Sequence, residues 1–137
     1  MNTLRAAVSA ALLFPLSVTV VLGQTQGKLN QQACDAYKSA DVELNRVYQR
    51  VLSEYKGDAL FVRKIEAAQH AWIVYRDAHL ESLYPAEDPR LAYGSVYPMC
   101  RCMALTEVTK KRTELLRRWL TGEKEGDVCL GSVKVRN

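Results

Sequence analysis

NQQACDAYKSADVELNRVYQRVLSEY, residues 30–55, decides the fold class. Tyr37, Leu44, Tyr48, Val51 and Tyr55 recur with Cys34 and Asp41 at steps of three and four. That spacing puts all seven on one face of an α-helix and excludes the alternation of a half-buried strand. Asn30 suits the N-cap, and Gly57 suits the stop.

Two further stretches share the pattern. Asp58 is placed to cap a second helix whose stripe runs Phe61, Ile65, Ala68, Trp72, Tyr75 and His79, reaching about Leu83. Tyr84 to Tyr97 breaks the period with Pro85, Pro89 and Gly94-Ser95, and reads as a loop. Pro98 fits the first turn of a third helix, with a stripe of Cys102, Leu105, Thr109, Arg112, Leu116 and Trp119, ending before Gly122. Residues 24–29 read as a polar leader and residues 122–137 as an irregular tail. The tight Gly57-Asp58 connection predicts antiparallel packing of the first two helices. The expected fold is all-α, a three-helix antiparallel bundle with disulfides and an irregular C-terminal tail, its core spanning about residues 30–121.

Ahead of this domain, residues 1–23 have the make-up of an export signal. Arg5 supplies a positive start, Ala6 to Leu22 carry no charge, and Val21-Leu22-Gly23 suits signal peptidase, leaving a domain of residues 24–137. Pro15 interrupts the apolar run, which argues against a retained membrane span. Residue 24 is Gln, so the cysteine that a lipid anchor requires is absent there. The expected product is periplasmic or secreted, with no membrane attachment after cleavage.

All four cysteines lie beyond the signal, and an even count in a short exported chain implies disulfides. Cys34 and Cys102 both lie on core stripes, so we expect Cys34–Cys102, leaving Cys100–Cys129. A Cys100–Cys102 bridge is disfavoured, because side chains two apart on a helix diverge by roughly 200°. A metal site is not expected. Zinc wants paired Cys-x-x-Cys or close His ligands, whereas this spacing is Cys-x-Cys, and His70 and His79 are too far apart for a helical His pair.

The chain carries 19 basic and 15 acidic side chains. Losing Arg5 leaves a net charge of about +3, interspersed along the helices, which is no nucleic-acid footprint. Asp41, Asn45, Gln69, Arg76, Thr109 and Arg112 lie on or beside the apolar stripes. They read as an interhelical polar network, with Asp41 paired to Arg76, because an unpaired buried charge is costly. No nucleophile and base accompany them, so neither an enzyme nor a cofactor is expected. The binding material lies in the loop. Tyr84, Arg90, Tyr93 and Tyr97 are of the types enriched at binding hot spots, and the alternative reading has one or more of the tyrosines fold back over the bundle.

Three segments carry a family resemblance: Asp41-Val-Glu-Leu44-Asn45-Arg-Val-Tyr48, Gln69-His-Ala-Trp72-Ile-Val-Tyr75-Arg76-Asp77, and Gly94-Ser95-Val-Tyr97-Pro98-Met, the last followed by Leu-Thr-Glu-Val-Thr109-Lys-Lys-Arg112-Thr-Glu-Leu115. In order and spacing, from roughly Cys34 to Leu120, they resemble the lysozyme inhibitor LprI-type N-terminal domain family. That resemblance implies a small helical protein of the bacterial envelope that binds lysozyme or another envelope protein. Many members carry a cysteine just after the Tyr-Arg-Asp segment, where this chain has Leu80. The leading expectation is an inhibitor that blocks a lysozyme sterically. The alternatives are an immunity or accessory partner of another envelope enzyme, and a structural or stress-related domain without an enzyme target.

Overall fold

The computed structural model describes residues 18–126 and 128–135, with side chains described from residue 25. Three long helices dominate them: α1 (Val18–Glu54), α2 (Ala59–Leu83) and α4 (Tyr97–Thr121), with a short α3 (Pro89–Tyr93) and a 3-10 turn (Gly94–Val96) between α2 and α4. Most of the expected signal, residues 1–17, lies outside the described residues. The expected cleavage point after Gly23 falls within α1.

Several expected boundaries move, each for a local reason. Residues 24–29, expected as a polar leader ahead of the helix, are part of it, since no proline interrupts them and Gln26 donates to Asn30 Oδ1 at 2.9 Å one turn on. Asn30 is therefore no N-cap. Its amide donates instead to the Ser95 carbonyl at 3.0 Å, tying α1 to the connection before α4. Asp58 does cap α2, accepting from the Phe61 N–H. Within the expected loop, Asp88 caps α3 by accepting from the Leu91 N–H, with Pro89 in the first turn. Gly122, at φ 68°, closes α4 in a conformation that L side chains seldom adopt.

Contacts at both ends fix the helix directions. The Cys34–Cys102 disulfide joins α1 and α4 at one end, with the Cα atoms 4.9 Å apart. At the other, the Tyr55 hydroxyl lies 3.2 Å from the Trp119 carbonyl. These two helices run in the same direction and form the closest seam of the structure. Small residues permit that approach: Ala40 on α1, and Thr109 and Thr113 on α4, are all buried. The tight Gly57-Asp58 turn concerns α1 and α2, but the main packing of the bundle is between the parallel pair α1 and α4.

The core sits toward the Tyr55 end. Leu44, Val47, Val51 and Tyr55 of α1 meet Phe61 and Ile65 of α2 and Leu116 of α4, with Trp72 and Trp119 half-buried against them. The stripe expected on α2 drifts off its true line after Ile65. The buried positions continue as Gln69 and Leu80, with Trp72 and Arg76 half-buried, whereas Ala68 and Tyr75 are exposed. Both lines start at Phe61 and Ile65, but the expected positions advance by about 3.6 residues per turn to His79, whereas the buried and half-buried ones advance by about 3.8 to Leu80.

Among the tail residues, Glu123 and Val135 form an isolated bridge, and the Glu123 N–H donates to the Lys134 carbonyl at 3.0 Å. Trp119 Nε1 donates to Ser132 Oγ at 3.0 Å, and Val133 is buried. These bonds hold the tail at the Tyr55 end. The expected Cys100–Cys129 bridge is not formed. Cys100 lies near the start of α4, about 30 Å of helical rise from its end at 1.5 Å per residue. The eight residues from Thr121 to Cys129 span at most about 27 Å even fully extended.

Candidate functional site

Between α2 and α4 the expected polar network is present only in pieces. Arg112 Nε donates to Gln69 Oε1 at 3.0 Å, joining α4 to α2. Burial pushes the Arg112 guanidinium below its usual range, and neither Arg112 Nη2 nor Thr109 Oγ1 has a hydrogen-bond partner among the described residues. Asn45 bonds Asp41 one turn back on the same helix, through both its carbonyl (3.0 Å) and its carboxylate (3.2 Å). The expected Asp41–Arg76 pair is replaced by a local one, because Arg76 Nε donates to the adjacent Asp77 at 2.8 Å. Arg76 also lies over the Trp72 ring at 5.4 Å, which satisfies its cationic face without a carboxylate from α1.

An ion cluster not foreseen as a site bridges the parallel helices. Glu43 of α1 takes Arg46 in a fork at 2.8 Å to both nitrogens and also takes Arg117 of α4. Arg46 first, then Arg117, hold its carboxyl down to about 2. The i,i+3 spacing of Glu43 and Arg46 could have signalled half of this in advance. The Arg117 half depends on how α1 and α4 align.

At the disulfide end, the loop residues converge. Tyr84 leaves the C-terminus of α2, Tyr93 ends α3 and Tyr97 opens α4, and their rings meet. Tyr84 sits edge-on to Tyr93 at 5.4 Å and to Tyr97 at 5.2 Å, while Tyr93 and Tyr97 stack at 6.0 Å. Such pairs prefer edge-to-face or offset geometry, and each contributes about 0.5–1.5 kcal/mol beyond area burial. Burial raises the Tyr84 phenol above its ordinary value. Tyr84 and Tyr97 are half-buried, and Tyr93 is 37% exposed. The tyrosines thus form a knot that closes the bundle while leaving one ring partly open to solvent.

Two hollows flank the knot. One, of about 460 Å³, is bordered by Arg76, Asp77 and Glu81 of α2, Tyr84, Tyr97 and Arg101. The other, of about 340 Å³, is lined by Cys34, Arg90, Tyr97, Pro98, Arg101 and Cys102. The exposed Arg90 therefore stands beside the knot, and Arg101 joins it from α4. Nothing local in the sequence marks Arg101, since its nearness to Arg90 follows from how α3 packs against α4. Among the described residues no group of three or more His, Cys, Asp and Glu side chains is arranged to hold a metal ion. No described helix is long and apolar enough to cross a membrane.

Comparison with known proteins places this geometry in context. The sequence profile described as lysozyme inhibitor LprI matches residues 22–116. An uncharacterised protein of Rhizobium meliloti (strain 1021) is 35% identical over 105 residues, covering 68% of this chain and 72% of the relative. No solved structure matches the chain.

Proposed function

Because the chain belongs to the lysozyme inhibitor LprI family, we propose that it is an exported envelope protein that inhibits a lysozyme by covering its glycan cleft. On this reading residues 1–23 direct export and are removed, and the product works in the periplasm or outside the cell. The observation that carries the proposal is the disulfide end of the bundle. There the exposed Arg90 stands beside a knot of three tyrosines already fixed against one another. Ring–ring packing removes in advance part of the side-chain freedom that binding would otherwise cost, so a knot of this kind favours contact. A lysozyme cleft works through two carboxylates, and a guanidinium entering it meets groups of opposite charge. A net charge of about +3 does not steer this protein toward a basic lysozyme, so the contact rests on local fit.

The test is clearance of a cell-wall suspension by several lysozyme types, with the oxidised protein titrated from sub-stoichiometric amounts to large excess. Inhibition by the wild type, weakened by Arg90→Ala and Tyr93→Ala together with helix content unchanged, supports the reading. No slowing of any lysozyme and no binding by calorimetry would remove it and favour a structural domain of the envelope, a role the folded-back tyrosines would also suit.

A further inference from the structure

The hollow beside the disulfide sets Arg90, on which the inhibitor reading draws, together with a second arginine that it does not use. Arg90 comes from α3 and Arg101 from α4, yet both line the same space, and Tyr97 lines it with them. Ion pairs elsewhere engage Arg46, Arg76, Arg117 and Arg118. Among the described residues, neither Arg90 nor Arg101 has a carboxylate within 4.0 Å. Glu81 and Asp77 border the adjoining hollow together with Arg101, but no ion pair joins them to it. Two like charges lining one hollow repel each other, and an anion between them reverses the sign of the interaction for both.

We propose that Arg90 and Arg101 form a two-guanidinium socket for a carboxylate on the protein partner. The choice of a protein as the owner of that carboxylate rests on the inhibitor reading, whereas the socket itself does not. A guanidinium presents a planar fork of donors that matches the two oxygens of a carboxylate, and two forks from different elements can grip it from two sides. The Tyr97 ring is held by Tyr84 and Tyr93, and the Arg101 backbone is adjacent to Cys102, which the disulfide pins to α1. Much of the socket is thereby ordered before any ligand arrives.

The probe is an acetylated, amidated tri-glutamate peptide added to the 15N-labelled oxidised protein at low salt, with a tri-glutamine peptide and inorganic phosphate in parallel. The socket predicts that tri-glutamate shifts the Arg90 and Arg101 side-chain N–H signals and that tri-glutamine does not. Arg90→Ala or Arg101→Ala should each weaken binding by roughly tenfold or more, the usual scale for a charge-assisted hydrogen bond, and Arg101→Lys should weaken it less. Both arginines are exposed, so the variants should keep the wild-type circular dichroism. No shift with tri-glutamate, or shifts unchanged in Arg101→Ala, overturns the socket. Phosphate that moves the same signals at lower concentration than the peptide overturns the carboxylate assignment. The lysozyme assay separates the two readings. Peptide binding without inhibition refutes the inhibitor alone, whereas inhibition untouched by Arg101→Ala refutes the socket as the partner contact.

Discussion

Removing the disulfide should cost this protein a large part of its stability, and the closed loop says how much. Cys34 and Cys102 are 68 residues apart in sequence. A crosslink of that span removes loop-closure entropy from the unfolded chain by about 15 cal/mol/K, or about 4.4 kcal/mol at 25 °C, and measured losses in small exported domains run about 2–5 kcal/mol. A domain of this size holds about 5–15 kcal/mol in total. The double variant Cys34→Ala/Cys102→Ala should therefore remain folded yet lie close to the threshold. With a urea slope of about 1–2 kcal/mol/M for a chain this short, its unfolding midpoint should fall by about 2–4 M at unchanged slope. Cys100→Ser, which breaks no bridge, is the control and should leave the midpoint where it is. The assay is equilibrium urea unfolding followed by both Trp fluorescence and circular dichroism, with coincident curves required for two-state treatment. A midpoint shift below about 0.5 M in the double variant would refute the argument. It would mean that the close α1/α4 seam already restrains the chain without the crosslink.

Other expectations follow from single side chains. Leu116 is fully buried in the core, so Leu116→Ala should lose about 2–5 kcal/mol in the same assay. Arg112 is a partly buried guanidinium that donates to a neutral amide, Gln69. Gln69→Ala should therefore strand it and cost about 1–3 kcal/mol, whereas the double variant Gln69→Leu/Arg112→Met, which removes the desolvated charge together with its buried acceptor, should be close to neutral. Because the carboxyl of Glu43 is held down to about 2 in the fold, its contribution is present above the ordinary glutamate range. That contribution is lost as pH falls from about 4.5 to about 2. Carbon-detected NMR titration should place the Glu43 midpoint near that value and return it toward 4.5 in Arg46→Ala/Arg117→Ala.

Much of the fold could be read locally, and the losses come where tertiary register decides. The stripe on α4 was legible through Cys102, Leu105, Thr109 and Leu116, all buried, because one face of that helix is consistently small or apolar. On α2 the residues Ile73, Val74 and Tyr75 put apolar side chains on the outside as well, Val74 at 70% exposure, so periodicity alone could not choose the face. The Cys34–Cys102 bridge follows from two stripes meeting, whereas Cys100–Cys129 requires the tail to run back along α4, and the tail's bonds to Trp119 and Glu123 hold it at the other end. A half-buried charge such as Arg76 needs a partner, which points across the bundle to Asp41, yet the sequence neighbour Asp77 supplies one. Arg90 and the loop tyrosines were visible from composition. Arg101 was not, since sequence does not state that α3 packs beside the first turns of α4.

The parallel course of α1 and α4 also sets an orientation. α4 is 25 residues long, about 37 Å at 1.5 Å per residue. The tyrosine knot and its arginines lie at one pole, and the tail fastened by Tyr55 and Trp119 lies at the other. A molecule fixed to a solid support through the tail near Ser132 would stand with the arginine pole facing outward, so surface-based kinetics should see every copy presented alike. Changes in the tail and changes in the tyrosine loop are far enough apart to vary independently, one altering how the protein is mounted and the other what it holds.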